Sequence, residues 1–114
     1  MFKLDLSPTY WATVKFDVQS ADGLRRETHA FDAEFPRMCT SELEAFGKEV
    51  QDLKMSDPQA AARVLRNFRD IAGRDGEALP FNSTNMLRVL DQAGVAFAVL
   101  KAFRDSQPRA ALGN

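Results

Sequence analysis

Few residues of this chain are of the types that carry out covalent or metal chemistry. It has one histidine, His29, and one cysteine, Cys39, among 114 residues. Neither has a second histidine or cysteine near it to complete a zinc site or a pair of nucleophile and base. The carboxylates are numerous but dispersed, without the apolar setting that raises a pKa for acid catalysis. We therefore interpret His29 as a partly exposed strand residue and Cys39 as a small buried residue near a helix start.

The segment 73–85, GRDGEALPFNSTN, is the best candidate for a ligand-binding loop. Asp75 and Glu77 lack the repeated oxygen ligands and the closing glutamate of a calcium loop. The glycines are not followed by the Gly-Lys-Ser or Gly-Lys-Thr of a phosphate-binding loop. Asp75-Gly76 is instead typical of a turn, and Asn82 of a helix start. We expect this segment to join two helices, and we expect no enzyme activity, cofactor or metal.

The charge balance argues against nucleic acid as the main partner. Fifteen Lys and Arg stand against 16 Asp and Glu, and affinity for nucleic acid grows with the number of cationic contacts. Three arginines at a spacing of three, Arg63, Arg66 and Arg69, are nevertheless predicted to share one side of a helix. This side either pairs with the acidic segment 42–57 or contacts a partner. In the second case the chain is a small helical regulatory or nucleic-acid-binding module.

Length and composition predict one globular domain in the cytoplasm. The chain is 45% apolar and 27% charged, and no apolar run approaches the roughly 18 residues that span a bilayer. The first residues lack the basic and apolar regions of an export signal. We expect a single domain over 1–105 and a flexible C-terminal tail over 106–114.

The fold class is predicted as α+β, with an N-terminal antiparallel β-hairpin followed by about four α-helices. Residues 10–18 alternate, with Val14 and Phe16 on the apolar face and Trp11 on the polar face. A turn at 19–23 and a weaker strand over 24–31 complete the hairpin. An extended piece through Ala33, Phe35 and Met38 is a candidate third edge strand.

After residue 40 the apolar period changes from two to about 3.6. Ser41 and Glu44 form a capping-box pattern for a first helix that ends near Lys54. Its apolar side carries Leu43, Phe46, Val50 and Leu53. The remaining three helices are predicted from Asp57 to Ala72 with Gly73 as the closing residue, from Asn82 to Asp91, and from Val95 to Asp105.

Two features indicate a protein partner. The last helix is apolar on nearly every side from Val95 to Leu100, so it is either central in the fold or covered partly by another chain. Trp11 points to the polar side of its strand, where it is either a contact residue or packs under the N-terminal segment. The candidate partner-binding residues are Trp11, Arg63, Arg66, Phe68, Phe97, Leu100 and Phe103.

The order of short motifs resembles the small tail assembly chaperones of long-tailed bacteriophages and prophages. An early Tyr-Trp leads into a valine-containing strand at 10–14, and a second strand ends in phenylalanine at 29–31. The most specific part of the resemblance lies in the second half, with Val64-Leu65, Phe68, Asp75-Gly76, Pro80-Phe81, Asn85-Met86-Leu87, Leu90-Asp91, Gly94-Val95-Ala96 and Phe103 in order. The chain departs from the family at 67–68, where Asn-Phe replaces Gly-Trp, and at Ala12, which replaces proline.

The resemblance implies a non-enzymatic role in virion morphogenesis. A chaperone of this family binds the long helical tape measure protein, keeps it soluble and recruits tail tube subunits. A longer frameshifted form that shares the N-terminal domain often accompanies it. Apart from the resemblance, we expect a homo-oligomer, because self-association through the fourth helix would bury its spare apolar face. The resemblance places the protein in the bacterial host cytoplasm and not in the finished virion.

Overall fold

The computed structural model describes Leu4 and residues 6–107, and it confirms the predicted α+β class. Within this part of the chain, an antiparallel sheet of three strands packs against four helices. The predicted tail residues 108–114 lie outside the described residues. In chain order the elements are β1 (Thr9–Gln19), β2 (Arg26–Pro36), α1 (Thr40–Asp52), α2 (Asp57–Val64), β3 (Asn67–Arg69), α3 (Ser83–Leu90) and α4 (Val95–Ser106).

The predicted hairpin is present, and its alternation has the expected faces. β1 and β2 pair antiparallel over their whole length, with Val14 opposite Phe31. Both of these side chains are buried. Val18, which the same alternation places on the face of Val14 and Phe16, is 41% exposed. The reason is that residues 21–30 of the hairpin end are all exposed, so the sheet extends beyond the helices that cover it.

The third strand was predicted in the wrong place. Ala33 and Phe35 belong to β2, where they continue the buried face that begins at Phe31. β3 supplies the third strand instead and pairs with β2 at Asp32–Glu34, which gives the strand order β1-β2-β3. A strand of three residues is too short to produce an alternating pattern, so periodicity alone does not reveal it.

The second helix is shorter than predicted. α2 ends at Val64, and Leu65 is already extended with ψ 109°. The chain then enters the sheet, where the Arg66 amide donates to the Glu34 carbonyl at 2.9 Å. Phe68 is buried as predicted, but it belongs to strand β3 and not to a helix. The centre of its ring lies 5.0 Å from that of the Phe81 ring. The predicted extension through Ala72 and the closing role of Gly73 are therefore wrong.

Helix starts were predicted to within two residues. α3 begins after Asn82 as expected, and the Asn82 side chain accepts from the Asn85 amide at 2.8 Å. The cap of α1 is Cys39 and not Ser41, because the Glu42 carboxylate accepts from the Cys39 amide at 3.1 Å. This hydrogen bond lowers the pKa of Glu42. The cap of α2 is Ser56, one residue before the predicted Asp57.

The core lies between one face of the sheet and the helices α2, α3 and α4. Its largest fully buried side chains are Phe35, Leu90, Val14, Val64 and Val99. α4 is the central helix, and most of its apolar residues are covered by this chain, so the first of the two explanations for its composition applies. The Phe103 ring is 5.4 Å from that of Phe35 and joins α4 to the sheet.

The end of α4 is hydrogen-bonded to β1, so the domain extends beyond its predicted end at residue 105. The Tyr10 hydroxyl is hydrogen-bonded to the Ser106 hydroxyl at 2.7 Å and accepts from the Gln107 amide group. Gln107 is buried, so residues 106 and 107 belong to the domain and not to the tail. Burial raises the pKa of Tyr10 above its ordinary value of 10.0.

This shift predicts a loss of stability at high pH. A group whose pKa is higher in the folded state stabilises the fold below its unfolded pKa, and the contribution disappears as pH rises through the folded value. We expect the midpoint of urea unfolding to fall more steeply above about pH 10 in the native chain than in Tyr10→Phe. Tyr10 is the single tyrosine, so equal slopes for the two proteins would contradict this prediction.

Candidate partner-binding groove

An apolar groove of about 460 Å³ lies between α1, the start of α2 and the C-terminal half of α4. Apolar side chains from all three helices form its floor, and polar and charged side chains form its rim. The floor residues are Leu43, Phe46, Gly47, Val50, Ala60, Leu100 and Phe103.

α1 contributes most of the groove because it is only partly covered by the rest of the fold. None of its residues, all of which the structure describes, is fully buried. Leu43, Phe46 and Val50 are half-buried and follow one another at helical spacing. A partner that covers the exposed part of this stripe would stabilise the complex by about 25 cal/mol for each Å² of apolar surface removed from water.

Gly47 lies in the middle of the α1 stripe, where neither backbone conformation nor packing explains it. It is in the helix interior, where glycine costs about 1 kcal/mol relative to alanine. Apart from its chain neighbours and the nearby backbone of α1 itself, a Cβ atom built at Gly47 would meet no heavy atom of the described residues within 4 Å. The space beside this glycine is therefore open and faces the groove.

The rim of the groove carries two carboxylates and one guanidinium group. They belong to Glu44 of α1, Asp57 of α2 and Arg104 of α4. Within the described residues no ion pair joins Glu44 or Asp57 to another side chain. A neighbouring pair, Arg63 to Glu49 at 3.1 Å, connects α1 to α2 just outside the groove.

The three predicted contact residues of α4 have different positions. Leu100 is half-buried in the groove. Phe97 is 57% exposed and lies beside Pro58 at the start of α2. Phe103 is only 2% exposed, because its ring packs between Phe35 and Phe46, and it is a core residue in this structure.

Trp11 and Phe68 lie on opposite faces of the sheet. Trp11 is 36% exposed on the face without helices, where the Arg69 guanidinium lies 4.1 Å from its ring centre. Arg69 also donates to Asp32 at 3.0 Å. Phe68 is buried on the helix-covered face. Trp11 and the groove therefore form no common surface, and Phe68 is not available at either one.

The three arginines do not share one side of a helix, because α2 ends before the second of them. Arg63 is on α2 and paired with Glu49, whereas Arg69 is on β3 and paired with Asp32. Arg66 lies between the two elements and donates to the Arg63 carbonyl. The arrangement on which a nucleic-acid-binding module depends is thus absent from the described residues.

The other residues that were considered as candidates for chemistry or ligand binding are explained by local structure. His29 is exposed and stacks on Phe16 at 6.0 Å. Cys39 is exposed, contrary to the buried position expected for it. In the segment 73–85 the Glu77 amide donates to Asp75, and the Gly73 amide donates to the Glu77 carbonyl, so its polar groups bond to one another.

Comparisons with other proteins give no indication of function, so the groove is the main evidence for it. No family model, curated protein or solved structure matches the chain. Among the described residues, no cluster of histidine, cysteine and carboxylate side chains has the arrangement of a metal site. No helix in the same part of the chain has the length and apolar character needed to cross a membrane.

Sequence reasoning identified the apolar side of α1 but did not propose it as a binding surface, and it did not single out Gly47. The periodicity of Leu43, Phe46 and Val50 was the available signal for the stripe. A glycine in the interior of a predicted helix was the available signal for the groove. Both signals require knowledge of which side of α1 the rest of the fold covers, and that is a property of the tertiary structure.

Proposed function

We propose that this protein is a non-enzymatic tail assembly chaperone that binds and solubilises a phage tape measure protein in the host cytoplasm. The observation that supports the proposal best is the half-covered apolar stripe of α1, which faces Leu100 of α4 across an open groove. The fold agrees with the α+β order that the resemblance implies.

The physical requirements of the task agree with such a groove. A long helical protein exposes an apolar stripe that aggregates in water until another surface covers it. An amphipathic helix lying in an apolar groove is a common way to provide that cover. A chaperone must also dissociate, so weak sites repeated along the partner by many copies suit it better than one tight site.

Further exposed apolar side chains are available for the other contacts of this function. Leu53, Leu87 and Phe97 are each more than half exposed. They lie around the start of α2, outside the floor of the groove. We assign recruitment of tail tube subunits and self-association to this second region, as part of the same proposal.

Co-expression with the large helix-rich protein encoded directly downstream tests the proposal. We expect that protein to be soluble when this chain is present, insoluble when it is absent, and to co-purify with it. If the large protein stays insoluble and nothing co-purifies, the proposal is wrong.

A pair of α1 variants links this result to the groove. Leu43→Asp places a charge on the stripe, whereas Ala45→Asp places the same charge on an exposed position outside the groove lining. We expect the amount of soluble complex to fall about tenfold or more with Leu43→Asp, as for loss of one central contact residue, and to change little with Ala45→Asp. Circular dichroism of each variant alone checks that the fold is kept.

A further inference from the structure

We infer that the groove holds one amphipathic helix whose backbone passes closest to α1 at Gly47 and whose basic side chains lie beside Glu44 and Asp57. This inference rests on the proposed function and specifies the chemistry of the bound segment. The segment is a helix with an apolar stripe, a small residue opposite Gly47, and Lys or Arg on the flank that faces α1.

Gly47 supports the close approach of a partner backbone. An interior glycine destabilises a helix, and this one has no turn, no left-handed backbone and no crowding neighbour that requires it. It lines the groove and lies between Phe46 and Val50 along α1. A missing side chain at this point allows two helix axes to come near the short end of their usual separation of about 8–10 Å.

The dimensions of the stripe fit a short helical contact. From Leu43 to Val50 the stripe covers about two helical turns, which is roughly 10 Å at 1.5 Å per residue. Half-buried Leu100 of α4 forms the opposite wall, whereas Phe103, only 2% exposed, offers little surface to a partner. A helix laid between the walls contacts both through one apolar face, with residues at the i, i+3, i+4 and i+7 positions.

Charge gives the bound helix an orientation. α1 carries Glu42, Glu44, Glu49 and Asp52 against Lys48. Glu42 caps the helix, Glu49 pairs with Arg63 and Asp52 does not line the groove, so the carboxylates at the rim are those of Glu44 and of Asp57 on α2. Arg104 on the α4 wall favours a polar or acidic residue on the other flank. Complementary rim charges fix orientation and partner choice more than they add affinity.

Two substitutions at Gly47 test the close approach. Gly47→Ala removes the helix penalty, so we expect Tm to rise by about 3–6 °C while binding weakens. Gly47→Leu fills the space beside the helix, and we expect the dissociation constant to rise about tenfold or more. The matched control is Ala45→Leu, which adds bulk at an exposed position that does not line the groove, and which we expect to change binding by less than about twofold.

The probes are two synthetic helices of about 21 residues with the same apolar stripe and an alanine at its centre. One has lysine on the flanking positions and the other has glutamate. By fluorescence anisotropy at low salt we expect the lysine helix to bind about tenfold more tightly, with the difference shrinking as salt is added. Equal binding of the two helices, or unchanged binding by Gly47→Leu, would overturn the inference.

The inference and the proposed function fail in different ways. If Gly47→Leu keeps the co-expressed large protein as soluble as the native chain does, the inference is wrong and the chaperone proposal stands. If the native chain fails in co-expression, the chaperone proposal is wrong, and the inference that rests on it falls too.

Discussion

Replacing Phe103 by alanine is expected to lower the free energy of unfolding by about 3–5 kcal/mol, the usual cost of deleting a buried phenylalanine ring. Phe103 is 2% exposed and packs edge-to-face against Phe35 at 5.4 Å and Phe46 at 5.9 Å. Loss of its ring leaves a cavity where α4, the sheet and α1 meet. Phe97, on the same helix, is 57% exposed, and Phe97→Ala is expected to change stability by less than about 0.5 kcal/mol.

Urea unfolding of the two variants measures this difference. A loss of 3–5 kcal/mol is a large part of the roughly 5–15 kcal/mol that stabilises a typical domain, so Phe103→Ala will unfold in little denaturant. Phe103→Leu keeps most of the volume and is expected to cost less than about 1.5 kcal/mol, which keeps the comparison measurable. Similar unfolding midpoints for Phe103→Ala and Phe97→Ala would show that Phe103 is not a core residue.

The second large effect is expected at Phe68, on the strand that sequence periodicity assigned to a helix. Phe68 is buried on the edge strand β3, paired with Ala33 of β2 and 5.0 Å from the Phe81 ring. We expect Phe68→Ala to lower the free energy of unfolding by about 3–5 kcal/mol. It should also loosen the attachment of β3, which is held by only three residue pairs.

Trp11→Ala is the matched control for Phe68→Ala. Trp11 is a larger aromatic on the open face of the same sheet, where it is partly exposed and stacks under Arg69 at 4.1 Å. The loss of this contact is expected to cost about 1 kcal/mol, as for other exposed cation–π pairs. Thermal unfolding of both variants measures their loss of stability. A larger loss for Trp11→Ala than for Phe68→Ala would contradict the placement of Phe68 on the buried face and Trp11 on the open face of the sheet.

Local sequence patterns predicted the strands and helices in which buried residues recur at a regular spacing. The alternation around Val14 has period two because successive strand residues face opposite sides of the sheet. Asn82 identifies the start of α3 because its side chain bonds to an amide only three residues away. Such contacts depend on neighbours in sequence, so they can be read without the fold.

The features that sequence could not locate depend on contacts between distant residues. β3 exists because the Arg66 amide donates to the Glu34 carbonyl and Phe68 pairs with Ala33 across the sheet, in each case with a residue more than 30 positions earlier in the chain. Similarly, Phe97 and Phe103 belong to one apolar helix, and only the packing of α4 on the sheet separates the exposed ring from the buried one.

For this protein, the amino-acid order alone determined the α+β class, the hairpin and the number of helices, because propensity, capping and apolar period act over a few residues. The tertiary arrangement decided which apolar residues remain open to a partner. α1 has the same amphipathic pattern as a fully covered helix, yet its stripe from Leu43 to Val50 stays half-exposed. The open space beside Gly47 becomes visible only once α4 is placed across from it, because a groove is defined by two surfaces and not by one.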